Sequence, residues 1–218
     1  MIQSKLVEIR NQIGNKVKLI AVSKNNPISK IAEAYEAGQK VFGENRVQEL
    51  FTKYSELPKD IEWHLIGHLQ KNKVKYIAPF ITWIHSIDSF ELLEIVQKEG
   101  QKHNRKINVL LQLKVAQEEA KFGMTLNQAE ELIQAFKKSD MPNIVISGIM
   151  GMSTNTENEE IINEEFNQLK KHFEFLKNNY FKENAEFTEL SMGMSNDYLL
   201  AIHNGSTMVR IGSLIFSE

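Results

Sequence analysis

Along the chain, short runs of apolar and β-branched residues recur, each followed by a stretch with helical spacing. The runs lie at residues 18–23, 40–43, 62–67, 82–87, 107–115, 144–150, 187–192 and 208–214. Several are almost continuously apolar, such as Val109-Leu110-Leu111-Gln112-Leu113 and Ile144-Val145-Ile146. A strand with one wet face alternates apolar and polar positions, whereas a strand of a parallel sheet is covered on both faces and need not. Between the runs, Ala129, Leu132, Ile133 and Phe136 share one helical face, as do Ile162, Phe166, Leu169, Phe173 and Leu176.

Helix starts are marked as well. Asn26 precedes Pro27, which suits a cap followed by proline at the first helical position. Asp88-Ser89-Phe90-Glu91, Thr125-Leu126-Asn127-Gln128 and Thr154-Asn155-Thr156-Glu157 have the spacing of a capping box, in which two side chains satisfy free N–H groups reciprocally.

Eight strand–helix alternations predict right-handed crossovers and a parallel sheet. The expected fold is α/β, a single (β/α)8 TIM barrel over residues 1–218, at the short end of the roughly 200 to 400 residues usual for that fold. An open doubly wound sheet would place a glycine-rich phosphate loop after the first strand. That position reads Val22-Ser23-Lys24-Asn25-Asn26-Pro27, without glycine. The eighth run ends almost at the C-terminus, so the helix that should cover it is missing there. Ile2, Leu6, Ile9 and Ile13, with Lys5, Glu8 and Arg10 between them, form one face of an amphipathic helix. That extra N-terminal helix is expected to cover the seam between the eighth and first strands.

The same alternation argues against a secretory signal, which needs a continuous apolar core. No stretch approaches the roughly 20 apolar residues of a membrane span. Hydrophobic residues make up 42% and charged residues 25%, as in ordinary globular proteins. Acidic and basic residues nearly cancel, 28 against 26, which gives no electrostatic reason to expect nucleic acid or an anionic membrane as partner. Cysteine is absent, so disulfides, thiolate metal sites and a thiol nucleophile are excluded. A cytoplasmic monomer is expected.

A TIM barrel carries its chemistry at the C-terminal strand ends. Here those ends read Ser23-Lys24, Gly43-Glu44-Asn45, Gly67-His68, Ser86-Ile87-Asp88, Lys114-Val115, Met150-Gly151-Met152, Met192-Gly193-Met194-Ser195 and Arg210-Ile211-Gly212-Ser213. Ser195 suits the N-cap of a short helix starting near Asn196, and the loops after strands 7 and 8 are this fold's usual phosphate site. Ser195 and Ser213 are therefore read as phosphate contacts, while Met192 and Met194, taken alone, fill core. Lys24 ends a buried strand aimed at the barrel mouth, where partial desolvation would make its amine nucleophilic. Arg210 interrupts an apolar run, either to bridge Glu44 or Asp88 or to face a ligand ring. His64 and His68 are four apart on a strand, not a helix, so a metal pair is not expected. His85 and Asp88 have no serine or cysteine nucleophile beside them.

Six stretches together resemble the pyridoxal phosphate homeostasis protein family, single-domain relatives of the alanine racemase barrel. They are Ala21-Val22-Ser23-Lys24, Phe42-Gly43-Glu44-Asn45, Trp63-His64-Leu65-Ile66-Gly67, Leu69-Gln70-Lys71-Asn72-Lys73, Leu190-Ser191-Met192-Gly193-Met194-Ser195 and Gly205-Ser206-Thr207-Met208-Val209-Arg210-Ile211-Gly212. The chain departs at its end, where Ser217 stands in place of the family's usual glycine. The resemblance implies pyridoxal 5′-phosphate (PLP) held as an internal aldimine on Lys24. It implies a phosphate cradle of Ser195, Gly212 and Ser213, with Met194 beside it, Arg210 as partner of the pyridine nitrogen, and Asn45 and His64 lining the pocket. An arginine-paired ring is a weak electron sink, because the guanidinium donates and leaves the ring nitrogen unprotonated. Racemisation also needs a second acid–base group opposite the lysine. The expected role is thus a non-enzymatic holder of PLP in cofactor homeostasis, with PLP-requiring enzymes as recipients. The alternatives are a racemase-like enzyme and a cofactor-free lysine Schiff-base aldolase.

Overall fold

The computed structural model describes residues 1–116 and 122–217. Eight parallel strands close into a barrel in sequence order, β8 pairing with β1. They are β1 (Lys18–Val22), β2 (Val41–Glu44), β3 (Glu62–Leu65), β4 (Trp83–Ile87), β5 (Ile107–Gln112), β6 (Ile144–Met150), β7 (Glu189–Ser191) and β8 (Met208–Ile211). All eight fall within or against the runs read from the sequence, most of them shorter at the C-terminal end, where the chain turns into the site loops. The helices are α1 (Ile2–Ile13), α2 (Ile28–Glu36), α3 (Val47–Glu56), α4 (Val74–Ile77), α5 (Phe90–Lys102), α6 (Leu126–Lys138), α7 (Glu159–Tyr180), α8 (Tyr198–His203) and α9 (Ser213–Phe216).

The apolar interior has two layers. Ile20, Trp83, Leu110, Met150 and Met208 fill the barrel itself. A larger cluster, including Leu19, Ala21, Phe42, Trp63 and Leu65, lies between the strands and the helices. Neighbouring residues of one strand therefore serve opposite layers, which is why the runs look continuously apolar.

Helix starts depend on which side chain reaches the free N–H groups. Thr125 and Gln128 form the expected capping box on α6. The other three marks are displaced. Pro27 itself precedes α2 and Asn26 Nδ2 instead donates to Lys24 O at 3.1 Å. Ser89, not Asp88, caps α5 by accepting from Leu92 N–H. Asn158, not Thr154, caps α7, because Thr154 is held by Glu165 through its N–H and hydroxyl.

After β8 only the four-residue α9 remains. Helix α1 packs against α2, α8 and α9 and thus lies over the β8–β1 seam, burying Ile2, Leu6, Ile9 and Ile13. Each such burial contributes about 1.5–3 kcal/mol. Removal of residues 1–14 is expected to lower the melting temperature by about 10 °C or more, at about 2–4 °C per kcal/mol for a chain of this size. An unchanged thermal transition by circular dichroism would refute this covering role.

Candidate functional site

The C-terminal ends of the strands surround a cavity of about 580 Å³. Lys24, Asn45, Met194, Ser195, Arg210, Gly212 and Ser213 all line it. His64 does not: it is fully buried deeper in the barrel, between His85 and Glu62. Its strand position turns it inward, but it stands three residues before Gly67, below the mouth. Among the described residues, no group of three or more His, Asp or Glu is placed to hold a metal ion.

Lys24 lies on the tight turn after β1 and is exposed at the cavity rim. The burial expected to activate it is therefore absent. What the structure provides is a rigid base. Asn26 N–H donates to Ser23 O at 3.0 Å, and Asn25 sits at φ 62, a left-handed conformation that asparagine tolerates. Beneath the turn, Lys53 Nζ of α3 donates to Ser23 O at 2.8 Å, Glu44 Oε1 at 2.7 Å and Glu49 Oε1 at 2.6 Å. Ser23 Oγ donates to Glu44 Oε1 at 2.5 Å, and Asn25 N–H donates to Glu49 Oε1 at 2.7 Å. One buried ammonium thus ties both chain neighbours of Lys24 to the same two carboxylates. Burial pushes the Glu44 carboxyl up, against the lowering effect of its bonds from Lys53 and Ser23.

Beside this turn, the loops after β7 and β8 are joined by Gly212 N–H donating to Ser195 Oγ at 3.3 Å. Ser195 is not the cap of α8; Asp197 holds that position, and its Oδ1 accepts from Met194 N–H at 2.6 Å. Close backbone approach explains the glycines. A Cβ on Gly212 would stand 3.0 Å from Val22 O, and one on Gly193, at φ 95, 2.6 Å from Ala201 Cβ. Met194 is exposed, not core.

Arg210 forms no bridge to Glu44 or Asp88: Glu44 pairs with Lys53, and Asp88 faces His68 at 3.6 Å. Its Nη1 donates to Ser191 Oγ at 2.6 Å and its Nη2 to Gly151 O at 3.1 Å. Burial lowers its pKa to about 10, so it stays protonated at neutral pH. Sequence reasoning missed Asp197, Gln112 and the Ser153–Thr156 loop, which also line the cavity. The polar run after Met152 was the one signal available for them.

The alanine racemase N-terminal domain family matches residues 1–218. A pyridoxal phosphate homeostasis protein of Aquifex aeolicus is 40% identical over 205 residues, covering 94% of this chain and 88% of the relative. The chain belongs to that family. A second homeostasis protein, from Haemophilus influenzae, is 38% identical over 96% of the chain and 87% of its own length. The solved structure of PipY from Synechococcus elongatus PCC7942 with PLP bound superposes with a TM-score of 0.90 at 34% identity, covering 100% of both chains. The alanine racemase of Clostridium difficile 630 shares the fold at 12% identity and a TM-score of 0.80, this chain spanning 59% of it.

Two outcomes follow from the buried charges. Replacing Lys53 with methionine strands two carboxylates and should cost about 3–5 kcal/mol in urea unfolding; Lys53→Met/Glu44→Leu should recover part of the loss. Acid should also weaken the fold. His64 is lowered to about 4 and His85 well below 6.5, chiefly by burial, while the bond from His64 holds Glu62 at about 2. A base whose folded pKa is lowered gives stability that is complete above its unfolded value near 6.5 and lost as pH falls toward about 4. Glu62 adds stability present above 4.5 and lost as pH falls toward about 2. The urea midpoint should therefore drop between about pH 7 and pH 4.5, and a flat profile would contradict the assignment.

Proposed function

We propose that this chain binds PLP through Lys24 and serves cytoplasmic PLP homeostasis by holding the cofactor and releasing it to enzymes that need it. The observation that carries this reading is that a primary amine, a buried guanidinium and two joined strand-end loops face one cavity of about 580 Å³, a size usual for small-ligand sites. The donor set fits the cofactor's chemistry. Lys24 would supply the amine for an aldehyde, water being the leaving group. Ser195, Gly212 and Ser213 suit a phosphate, since glycine at the β8 end lets backbone N–H groups approach closely. Among the described residues, Arg210 uses two of its five N–H donors below the cavity and keeps others for an acceptor within it.

When bound, PLP supplies an aldehyde and an electron-withdrawing ring. The residues present favour holding over catalysis. A protonated Arg210 would donate to the ring nitrogen and withhold the proton that strengthens electron withdrawal. Lys24 at the rim would keep its amine open to solvent. PLP homeostasis proteins form this chain's family, and PipY is a relative solved with PLP.

Borohydride reduction of the PLP-treated protein, followed by peptide mass mapping, should place a phosphopyridoxyl group on Lys24 and leave Lys24→Ala unmodified. Modification of another lysine alone would overturn the assignment. Absence of a visible absorption band with PLP would favour the aldolase reading. Inversion of an amino acid by the pure protein, lost in Lys24→Ala, would replace the holder with a racemase.

A further inference from the structure

The barrel interior below Arg210 is not wholly apolar. A single file of polar side chains crosses it, and the cofactor reading has no use for most of them. Ser191 Oγ, which accepts from Arg210, lies 3.1 Å from His85 Nδ1. His85 Nε2 lies 2.8 Å from His64 Nδ1, and His64 Nε2 lies 2.9 Å from Glu62 Oε1. Lys18 Nζ donates to the same Glu62 oxygen at 3.0 Å. The file starts at the cavity on β8, passes through β7, β4 and β3, and ends at the opposite mouth on β1. Arg210, Ser191, His85 and His64 are buried; the Lys18 and Glu62 side chains are 35% and 32% exposed.

Chemistry gives this file one direction. A guanidinium only donates, so Ser191 Oγ accepts from it; the hydroxyl has a second lone pair, so the direction of its bond with His85 Nδ1 is set from the other end of the file. Glu62 is a carboxylate that only accepts, so His64 carries its proton on Nε2 and donates to it. His64 Nδ1 is then bare and accepts from His85 Nε2–H. His85 Nδ1 is bare in turn and accepts from the Ser191 hydroxyl, whose oxygen still accepts from Arg210. Reversing both tautomers would set the bare His64 Nε2 against a carboxylate at 2.9 Å. Burial keeps both imidazoles neutral, as this scheme needs.

We propose that Ser191, His85 and His64 are positioning residues for Arg210, a one-way chain of donors that links a buried guanidinium to a carboxylate at the far mouth. Among the described residues no carboxylate is in contact with Arg210, and Asp197 acts on it only at longer range, so the aligned dipoles of the chain stabilise its charge and hold its plane. The donors left over are thereby aimed into the cavity at fixed orientation. Trp83 flanks the chain, stacked on His64 with ring centroids 5.5 Å apart. This inference rests on the PLP reading for its effect on a ligand, but the tautomers belong to the protein alone.

The test has two parts. Long-range proton–nitrogen spectra of histidine-labelled protein without ligand should show two buried neutral imidazoles, both protonated at Nε2. An Nδ1–H tautomer or an imidazolium at either position would overturn the chain. In the PLP-loaded protein, Ser191→Ala should weaken PLP retention by about tenfold or more, the scale of one charge-assisted bond. It should also change the ratio of near-ultraviolet to visible bands, with Ser191→Thr restoring both. A Ser191→Ala protein with wild-type retention and bands would refute the positioning role. If Ser191→Ala does not fold, His85→Gln decides: it can accept from Ser191 and donate to His64, and should keep wild-type bands, whereas folded His85→Leu should not. Wild-type bands in His85→Leu would refute the chain. If wild-type protein gives no band with PLP, the function reading fails while the tautomers still stand or fall on their own.

Discussion

Ile20 pairs with Arg210 and Ala21 with Ile211, so residues almost a whole chain apart become neighbours when the barrel closes. Everything at the site follows from that pairing. It sets the turn carrying Lys24 beside Gly212 and brings Arg210 under the cavity. Joining such distant segments costs loop-closure entropy, though that cost grows only slowly with length. The apolar face of α1 offsets it by covering the seam from outside. Gly212, where a Cβ would stand 3.0 Å from Val22 O, lies on this seam and close to the candidate lysine.

The barrel divides its charges by layer. The Lys53 cluster sits outside the strands, under α3, and fixes the β1 turn. The Arg210 chain sits inside and fixes the neighbouring strand β8. Each is buried, and each leaves few polar atoms without partners; Glu44 Oε2 is one that has none among the described residues. Burying so many polar groups adds little net stability compared with apolar packing of the same volume. Their presence is better explained by geometry, since an amine after β1 and a guanidinium on the adjacent β8 must keep their separation for one small ligand to span them.

Much of this was legible in the sequence. Strand number, order and closure followed from apolar runs, because a strand covered on both faces declares itself by composition. Seven of the eight expected site residues line the cavity because strand ends locate a barrel's mouth. His64 shows the limit. Alternation gives the face of a strand, but not how far below the mouth a residue stands. The caps show another limit: Thr125 works as expected, whereas Thr154 is drawn away by Glu165, a partner fixed only by the packing of α7. Lys53, Asp197 and the tautomer chain could not be read at all, since each depends on residues brought together from separate strands and helices.

The placement of α1 also bears on how the chain is made. The helix over residues 2–13 leaves the ribosome about 195 residues before the strand it covers, or roughly 10–40 s at about 5–20 residues per second. Through that interval its row of isoleucines and leucine has no seam to rest on.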